Sequence, residues 1–277
     1  MNGKLSIVAT PIGNLGDITQ RALEVLERAD CVCAEDTRVT GKLLAAYGIE
    51  NRLERCDENI IAHRSASLVE RMQAGECIAF CSDAGMPGVS DPGLVLVDAC
   101  REAGIPVEVL PGASAVPAAI AAAGFNGTAF YFGGFLPRKE KACEELLGSL
   151  KALDATLVFY ESPHRVAASV RTIARVLAGR RVALCRELTK LHEEVLRLPA
   201  EELAENLAAR DAIKGEIALV IEPPVAGEGA ASLDDPALHE RIRSELAAGA
   251  RKSALARELA KELGVSKNDL YNLIHSL

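Results

Sequence analysis

The sequence predicts an α/β protein of two lobes: a mostly parallel N-terminal sheet, a mixed second sheet and a small helical C-terminal module. Three observations predict it. Strand-like and helix-like segments alternate through residues 1–123, the pattern of parallel strands joined by helical crossovers. Gly124-Phe-Asn-Gly127 breaks that series, and a second α/β series fills 124–222. A Pro/Gly/Ala-rich linker, 223–235, then leads to a helical tail, 236–277, of different charge.

Each element has a local reason. Residues 5–10 form an apolar strand, and Asp17 stands as N-cap before the helical stripe Ile18, Ala22, Val25 and Leu26. A strand at 31–34 precedes a short helix, 41–47, that stops at Gly48. A helix at 59–73 ends at Gly75, and the strand 77–81 runs into a Gly/Pro-rich loop, 82–93. A helix at 94–102, a strand at 107–110 and a helix at 114–123, with Ser114 as N-cap, complete the first lobe. Strands near 130–132, 156–160, 182–186, 194–198 and 216–221 build the second. Those after Arg181 follow one another directly, which predicts a mixed or antiparallel sheet.

In the tail, Leu255, Leu259, Ala260 and Leu263 share a helix face. Gly264-Val265 turns the chain, and Ser266-x-x-Asp269 has the form of a capping box before Leu270, Leu273 and Ile274. This is helix-turn-helix spacing, which suits both nucleic-acid contact and a packing or dimerisation module.

Composition narrows the function. The 277 residues are 49% apolar and 25% charged, a globular profile that excludes disordered, collagen-like and rod-like chains. The net charge of −8 excludes a whole-surface nucleic-acid coat but leaves room for a local basic site. The tail has seven Lys/Arg and five Asp/Glu, a local +2, which leaves −10 on the remainder. No apolar run reaches the ~18 residues of a membrane span. No signal-peptide pattern opens the chain, so a cytoplasmic protein without membrane contact is expected. The eight cysteines are scattered, with no Cys-x-x-Cys pair. They read as buried thiols, and no metal is expected.

In parallel α/β sheets the ligand crevice lies beyond the carboxyl ends of the strands. The loops there, 11–16, 35–38, 82–93 and 111–114, are expected on one rim. The first contains Gly13 and Gly16 but no Gly-x-Gly-x-x-Gly, and Pro11 removes a donor, so a pyrophosphate cradle is disfavoured. The segment 82–93 holds three Gly, two Pro and two Asp, which specify a rigid course whose backbone groups serve as fixed partners. Asp83 and Asp91 are placed to hold a cationic or hydroxyl-bearing ligand.

Five motifs occur in order: Thr10-Pro-Ile-Gly-Asn-Leu15, Ala34-Glu-Asp-Thr-Arg38, Ser82-Asp-Ala-Gly-Met-Pro-Gly-Val-Ser-Asp-Pro-Gly93, Leu110-Pro-Gly-Ala-Ser-Ala115 and Phe159-Tyr-Glu-Ser-Pro-His-Arg165. Together they resemble the tetrapyrrole-methylase superfamily, and within it the bacterial small-subunit ribosomal RNA ribose methyltransferases, over residues 4–222; the tail fits as well. The resemblance implies a tetrapyrrole-methylase-like fold, a homodimer, and S-adenosylmethionine bound between the lobes. It implies methyl transfer to the 2′-hydroxyl of a cytidine in the decoding centre of 16S rRNA, within the 30S subunit. Carried over by position, Pro11, Ala84, Gly85, Met86, Val89, Ser114, Ala115, Glu161 and Leu188 would contact the cofactor, beside Asp83. Met86 stands where many porphyrin-type relatives have an acid, which weighs against a porphyrin precursor as substrate.

Such chemistry requires in-line alignment, and a base near the hydroxyl accelerates it. Glu161 is the preferred base, with Asp36, Asp83 and His164 as alternatives. Arg38, Arg138, Arg165, Arg186 and Lys190 on the loops, and Arg251, Lys252 and Lys267 in the tail, are candidate RNA contacts. Two other readings compete: a small-molecule (tetrapyrrole-type) methyltransferase, and a non-catalytic RNA-binding ribosome-assembly protein.

Overall fold

The computed structural model describes residues 3–89, 91–224, 235–263 and 267–277. Its first half runs β1 (Lys4–Val8), α1 (Gln20–Arg28), β2 (Cys31–Ala34), α2 (Thr37–Ala46), β3 (Leu53–Arg55), α3 (Ile61–Gln73), β4 (Cys77–Cys81), α4 (Gly93–Glu102), β5 (Val107–Leu110) and α5 (Ala115–Ala123). The five strands form one wholly parallel sheet, ordered β3-β2-β4-β1-β5. Strands of such a sheet are covered on both faces, which is why β1, β2 and β4 read as continuous apolar runs. Alternate residues still part company: Leu5, Ile7, Cys31, Cys33, Ile78 and Phe80 enter one core, and Val8, Val32, Ala79 and Cys81 the other.

The second half runs β6 (Phe130–Phe135), α6 (Glu140–Leu150), β7 (Thr156–Glu161), α7 (Val166–Val176), β8 (Arg181–Arg186), β9 (Glu194–Pro199), α8 (Ala200–Ala208) and β10 (Ile217–Ile221). Its sheet, β6-β7-β10-β8-β9, is mixed: β6 and β7 are parallel and every other pair is antiparallel. One face carries Leu157, Phe159, Val182, Leu184, Ile217 and Leu219 and is covered by α6, α7 and α8. The other carries Val158, Ala183, Cys185, Ala218 and Val220 and receives Val116, Ala119 and Ala123 of α5. The small residues of α5 thus serve a close approach to the second sheet, not the first. Glycine 124, with φ of +61°, ends this helix in the left-handed conformation that suits glycine.

Three corrections to the expected elements have local causes. The cap of α1 is Thr19, whose hydroxyl accepts from the Ala22 N–H at 3.1 Å, while Asp17 lies in a preceding 3-10 turn. Asp36 caps α2, which therefore starts four residues before the expected helix. Ser114 stands at the N-cap of α5, but its side chain makes no capping bond.

The tail forms α9 (Pro236–Ala247), α10 (Lys252–Leu263) and α11 (Lys267–Ser276). Leu238, Ile242, Leu255, Leu259, Leu270 and Ile274 make a common core. The Gly264-Val265 turn, the Ser266 cap and most of the 223–235 linker lie outside the described residues. Among the described residues, no helix is long and apolar enough to cross a membrane.

Candidate active site

The four carboxyl-end loops of the first sheet do meet on one rim. Ile12, Glu35, residues 82–86, Val89, Asp91 and Ser114 line a cavity of about 500 Å³ whose opposite wall comes from the second sheet. That wall is the α5 face of the sheet: Tyr160, Cys185 and Ala218 form it, small residues leaving room beside one large ring. Phe132 and Phe135 hold the Tyr160 ring edge-on, with centroids 4.9 and 5.6 Å away.

The first and third loops are tied directly. Thr10 and Gly85 exchange backbone hydrogen bonds, and the Thr10 hydroxyl reaches the Ser82 carbonyl at 3.3 Å. Gly85 sits at φ +81°, and a Cβ there would meet the Ile12 Cγ2 at 3.1 Å. Asp91 clasps the rest of the loop. Its carboxylate accepts from Gly88, Val89 and Gly93 N–H groups, at 2.8 to 3.2 Å. It is therefore a loop fastener, a more specific task than the ligand contact its position suggested.

From the second lobe, the turn after β8 leans over the rim. Glu187 and Thr189 hold positive φ of 51° and 66°, and Leu188 between them lines the cavity. Gly13 packs beneath: a Cβ there would come within 2.3 Å of the Lys190 Cγ. This contact, not a phosphate, is what the glycine in the first loop serves.

Of the positions expected at a cofactor, Asp83, Ala84, Gly85, Met86 and Val89 line the cavity from the first lobe, with Ser114 and Ala115 at the start of α5. Leu188 and Glu161 line it from the second. Pro11 lies instead in a neighbouring cavity of about 400 Å³, which shares Ser82 and Asp83 with the first. The reading of the residues passed over Glu35, Tyr160, Cys185 and Ala218. Alternation separates the two faces within β7 and within β8, but only the sheet order, with β10 between them, puts Tyr160 and Cys185 on the same one.

The same alternation changes the role of Glu161. It shares the face of Leu157 and Phe159, under α7, and its side chain is fully buried. The carboxylate accepts from the Ser162 N–H at 2.6 Å, takes the Ser169 hydroxyl and pairs with Arg165. That is the environment of an anchor for the β7–α7 turn and not of a base awaiting a substrate proton. Asp36 is likewise committed, capping α2 and gripping the Arg38 guanidinium, which holds its carboxyl below the usual carboxylate range. His164 is exposed at the turn before α7.

The electrostatics of the cavity are one-sided. Glu35, Asp83, Asp91, Glu161 and Glu216 line it, and among the described residues no Lys or Arg does. Burial, then the charges of Asp83 and Asp91, push the Glu35 carboxyl up, although the Asp83 backbone N–H opposes them. Burial also raises the Tyr160 phenol. Such walls repel phosphate and favour a cation.

The candidate RNA contacts divide. Arg165 is held by Glu161 and the Leu136 carbonyl, Arg186 by Glu194 and Lys190 by Glu187 and Glu216. These three brace the second lobe: Glu161 and Glu187 are close in sequence to their partners, while Glu194 and Glu216 are brought in by strand pairing. Arg38, Arg138, Arg251, Lys252 and Lys267 are exposed.

Comparison with known proteins adds three findings. Residues 4–204 match the family model described as Tetrapyrrole (Corrin/Porphyrin) Methylases. Proteins named "Ribosomal RNA small subunit methyltransferase I" are similar along the whole chain. That of Halalkalibacterium halodurans is 40% identical over 279 residues, covering 99% of this chain and 95% of its own. That of Mesorhizobium japonicum is 44% identical over 274 residues, covering 99% and 92%. Among solved structures, uroporphyrin-III-C-methyltransferase from Thermus thermophilus superposes with a TM-score of 0.56 at 24% identity, over 79% of this chain and 94% of that one, a likeness of fold.

Proposed function

The chain belongs to the tetrapyrrole (corrin/porphyrin) methylase family, and from that premise we propose that it transfers the methyl group of S-adenosylmethionine to the ribose 2′-hydroxyl of a cytidine in the decoding centre of 16S ribosomal RNA. The observation that carries this reading is the cavity between the two sheets, walled by carboxylates and free of Lys and Arg among the described residues. A dinucleotide or nucleoside triphosphate would need cations or a glycine cradle for its phosphates. S-adenosylmethionine has none and bears a positive sulfonium, so the residues present fit it.

When bound, the cofactor supplies an electrophilic methyl group, which needs no metal to activate it. The chain supplies position. Gly88 and Val89, clasped by Asp91, would present backbone groups that do not reorganise, and Ser114 and Ala115 at the start of α5 would hold the ligand against Leu188 on the second side. Glu35 and Asp83, on the cavity wall, would face its positive charge.

The choice of substrate rests on the relatives named for the small ribosomal subunit, similar over nearly the full chain. An acidic body with exposed cations at Arg38 and Arg138, and a tail bearing Arg251, Lys252 and Lys267, suits a structured target better than indiscriminate phosphate binding. The protein acts in the cytoplasm, as a homodimer, on the 30S subunit. Nucleoside mass spectrometry of ribosomal RNA from cells with and without the gene tests this. The reading requires one 2′-O-methylcytidine to disappear with the gene; unchanged RNA overturns it.

A further inference from the structure

A second cavity adjoins the first. Its volume, about 400 Å³, is in the range of small-molecule sites. Ser82 and Asp83 belong to the walls of both. Transfer of a methyl group is in-line, so an acceptor has to lie against the donor across a shared boundary.

We infer that the second cavity seats the acceptor nucleoside, with its ribose at the Ser82–Asp83 wall, and that Asp83 takes the proton of the 2′-hydroxyl. This rests on the methyl transfer proposed above and names the place of its substrate.

The lining matches a pyrimidine nucleoside. Pro11, Leu15 and Val39 offer apolar surface for a base to lie on; Leu15 is 49% exposed and Val39 42%. Thr40 lies in the same wall, 1% exposed, with its hydroxyl oxygen closed off from the cavity. Lys42, exposed on the same wall, adds a donor.

Asp83 is the acid at the boundary. The Asp36 N–H donates to its Oδ1 at 2.9 Å, which orients the carboxylate. Other acids nearby have different tasks: Asp91 clasps its loop, Asp36 holds Arg38 and Glu161 lies on the far face of β7. In the step, the hydroxyl O–H bond breaks and its proton passes to a carboxylate oxygen of Asp83. A new oxygen–carbon bond forms as the methyl–sulfur bond breaks, and the bonding pair leaves with sulfur as a neutral thioether.

The test uses the purified full chain, 30S subunits lacking the modification and methyl-labelled cofactor. Val39→Trp fills the second cavity from an exposed position, and Asp83→Asn keeps the shape and the bond from Asp36 while removing the base. Val39→Trp is expected to lower transfer about 100-fold or more, with cofactor affinity by calorimetry changed less than about twofold. Asp83→Asn is expected to lower kcat by about 10²–10⁴-fold, the usual span of general-base catalysis, with KM for the subunit little changed. Lys42→Ala is expected to raise that KM about five- to tenfold. Near-normal turnover in Val39→Trp, or in Asp83→Asn, overturns the inference. A wild-type chain that binds cofactor but leaves the subunits unmodified overturns the underlying reading, and this inference with it.

Discussion

Thr10 and Gly85 are joined by two backbone hydrogen bonds, Thr10 N–H to the Gly85 carbonyl at 2.9 Å and Gly85 N–H to the Thr10 carbonyl at 3.0 Å. One residue follows β1 and the other follows β4, neighbouring strands of the parallel sheet. The bridge sets the spacing of the two loops at the cavity mouth. It demands a left-handed backbone at position 85, which glycine alone adopts without strain.

Gly85→Ala therefore carries a backbone strain of about 1–3 kcal/mol and a crowded contact with Ile12. Because the strain falls on the cavity wall, cofactor affinity is expected to drop about tenfold or more, and the melting temperature to fall with it. Calorimetric titration and a thermal melt measure both. Unchanged affinity would show that the loop spacing is immaterial.

Gly13→Ala probes the other side. The new methyl would collide with the Lys190 Cγ and the Thr189 hydroxyl, pushing back the turn that carries Leu188. Weaker cofactor binding is expected, because the displaced turn carries Leu188 on the cavity wall. A substitution that alters RNA affinity and leaves cofactor affinity intact would contradict this.

Glu161 separates structure from chemistry. Glu161→Ala removes a buried carboxylate from Ser162, Ser169 and Arg165, a loss of about 3–5 kcal/mol by analogy with broken buried pairs. Glu161→Gln keeps an acceptor and is expected to retain turnover within about tenfold of wild type, far above the loss from removing a general base. Urea unfolding and single-turnover transfer read the two effects. A Glu161→Gln chain that folds and binds cofactor but loses about 10³-fold in rate would restore Glu161 as the base.

Binding of a cationic cofactor should release protons. Glu35 is held above the ordinary carboxylate value of 4.5 by burial and by Asp83 and Asp91, with Asp57 a smaller contributor. In the folded chain it therefore keeps its proton to higher pH than in the unfolded one. The stability this contributes is present at low pH and disappears as pH rises through the folded value. A positive ligand beside it favours the ionised form, lowers that value and expels the proton. Calorimetry at about pH 5 in buffers of different ionisation enthalpy should show proton release, reduced in Glu35→Gln. Proton uptake would contradict the sign.

Much of this was legible because the parallel sheet imposes its own grammar. The apolar runs at 5–8, 31–34 and 77–81, alternating with helices, are the pattern of a parallel sheet covered on both faces, and that places the loops after them on one rim. The short strand Leu53–Arg55 was missed: three residues, half exposed, carry no period. The packing of α5 on the second sheet was missed as well. Its sequence is apolar all round and mostly alanine, so no polar face marks which side is buried. Site residues on the loops were visible as motifs. Tyr160, Cys185 and Ala218 were hidden because their environment depends on which helices cover which face of the second sheet. The fate of Arg186, and half of that of Lys190, could not be read either, since Glu194 and Glu216 reach them only through the β8–β9 and β8–β10 pairings.

The central claim is methyl transfer to a ribose of the small-subunit RNA from a cofactor held between the two sheets. The most direct measurement incubates the purified chain with methyl-labelled S-adenosylmethionine and 30S subunits from cells lacking the gene, then digests the RNA to nucleosides for mass spectrometry. Label is expected in 2′-O-methylcytidine alone, at up to one group per subunit. Label on a base, or none in RNA while a small tetrapyrrole accepts it, would overturn the proposed reaction.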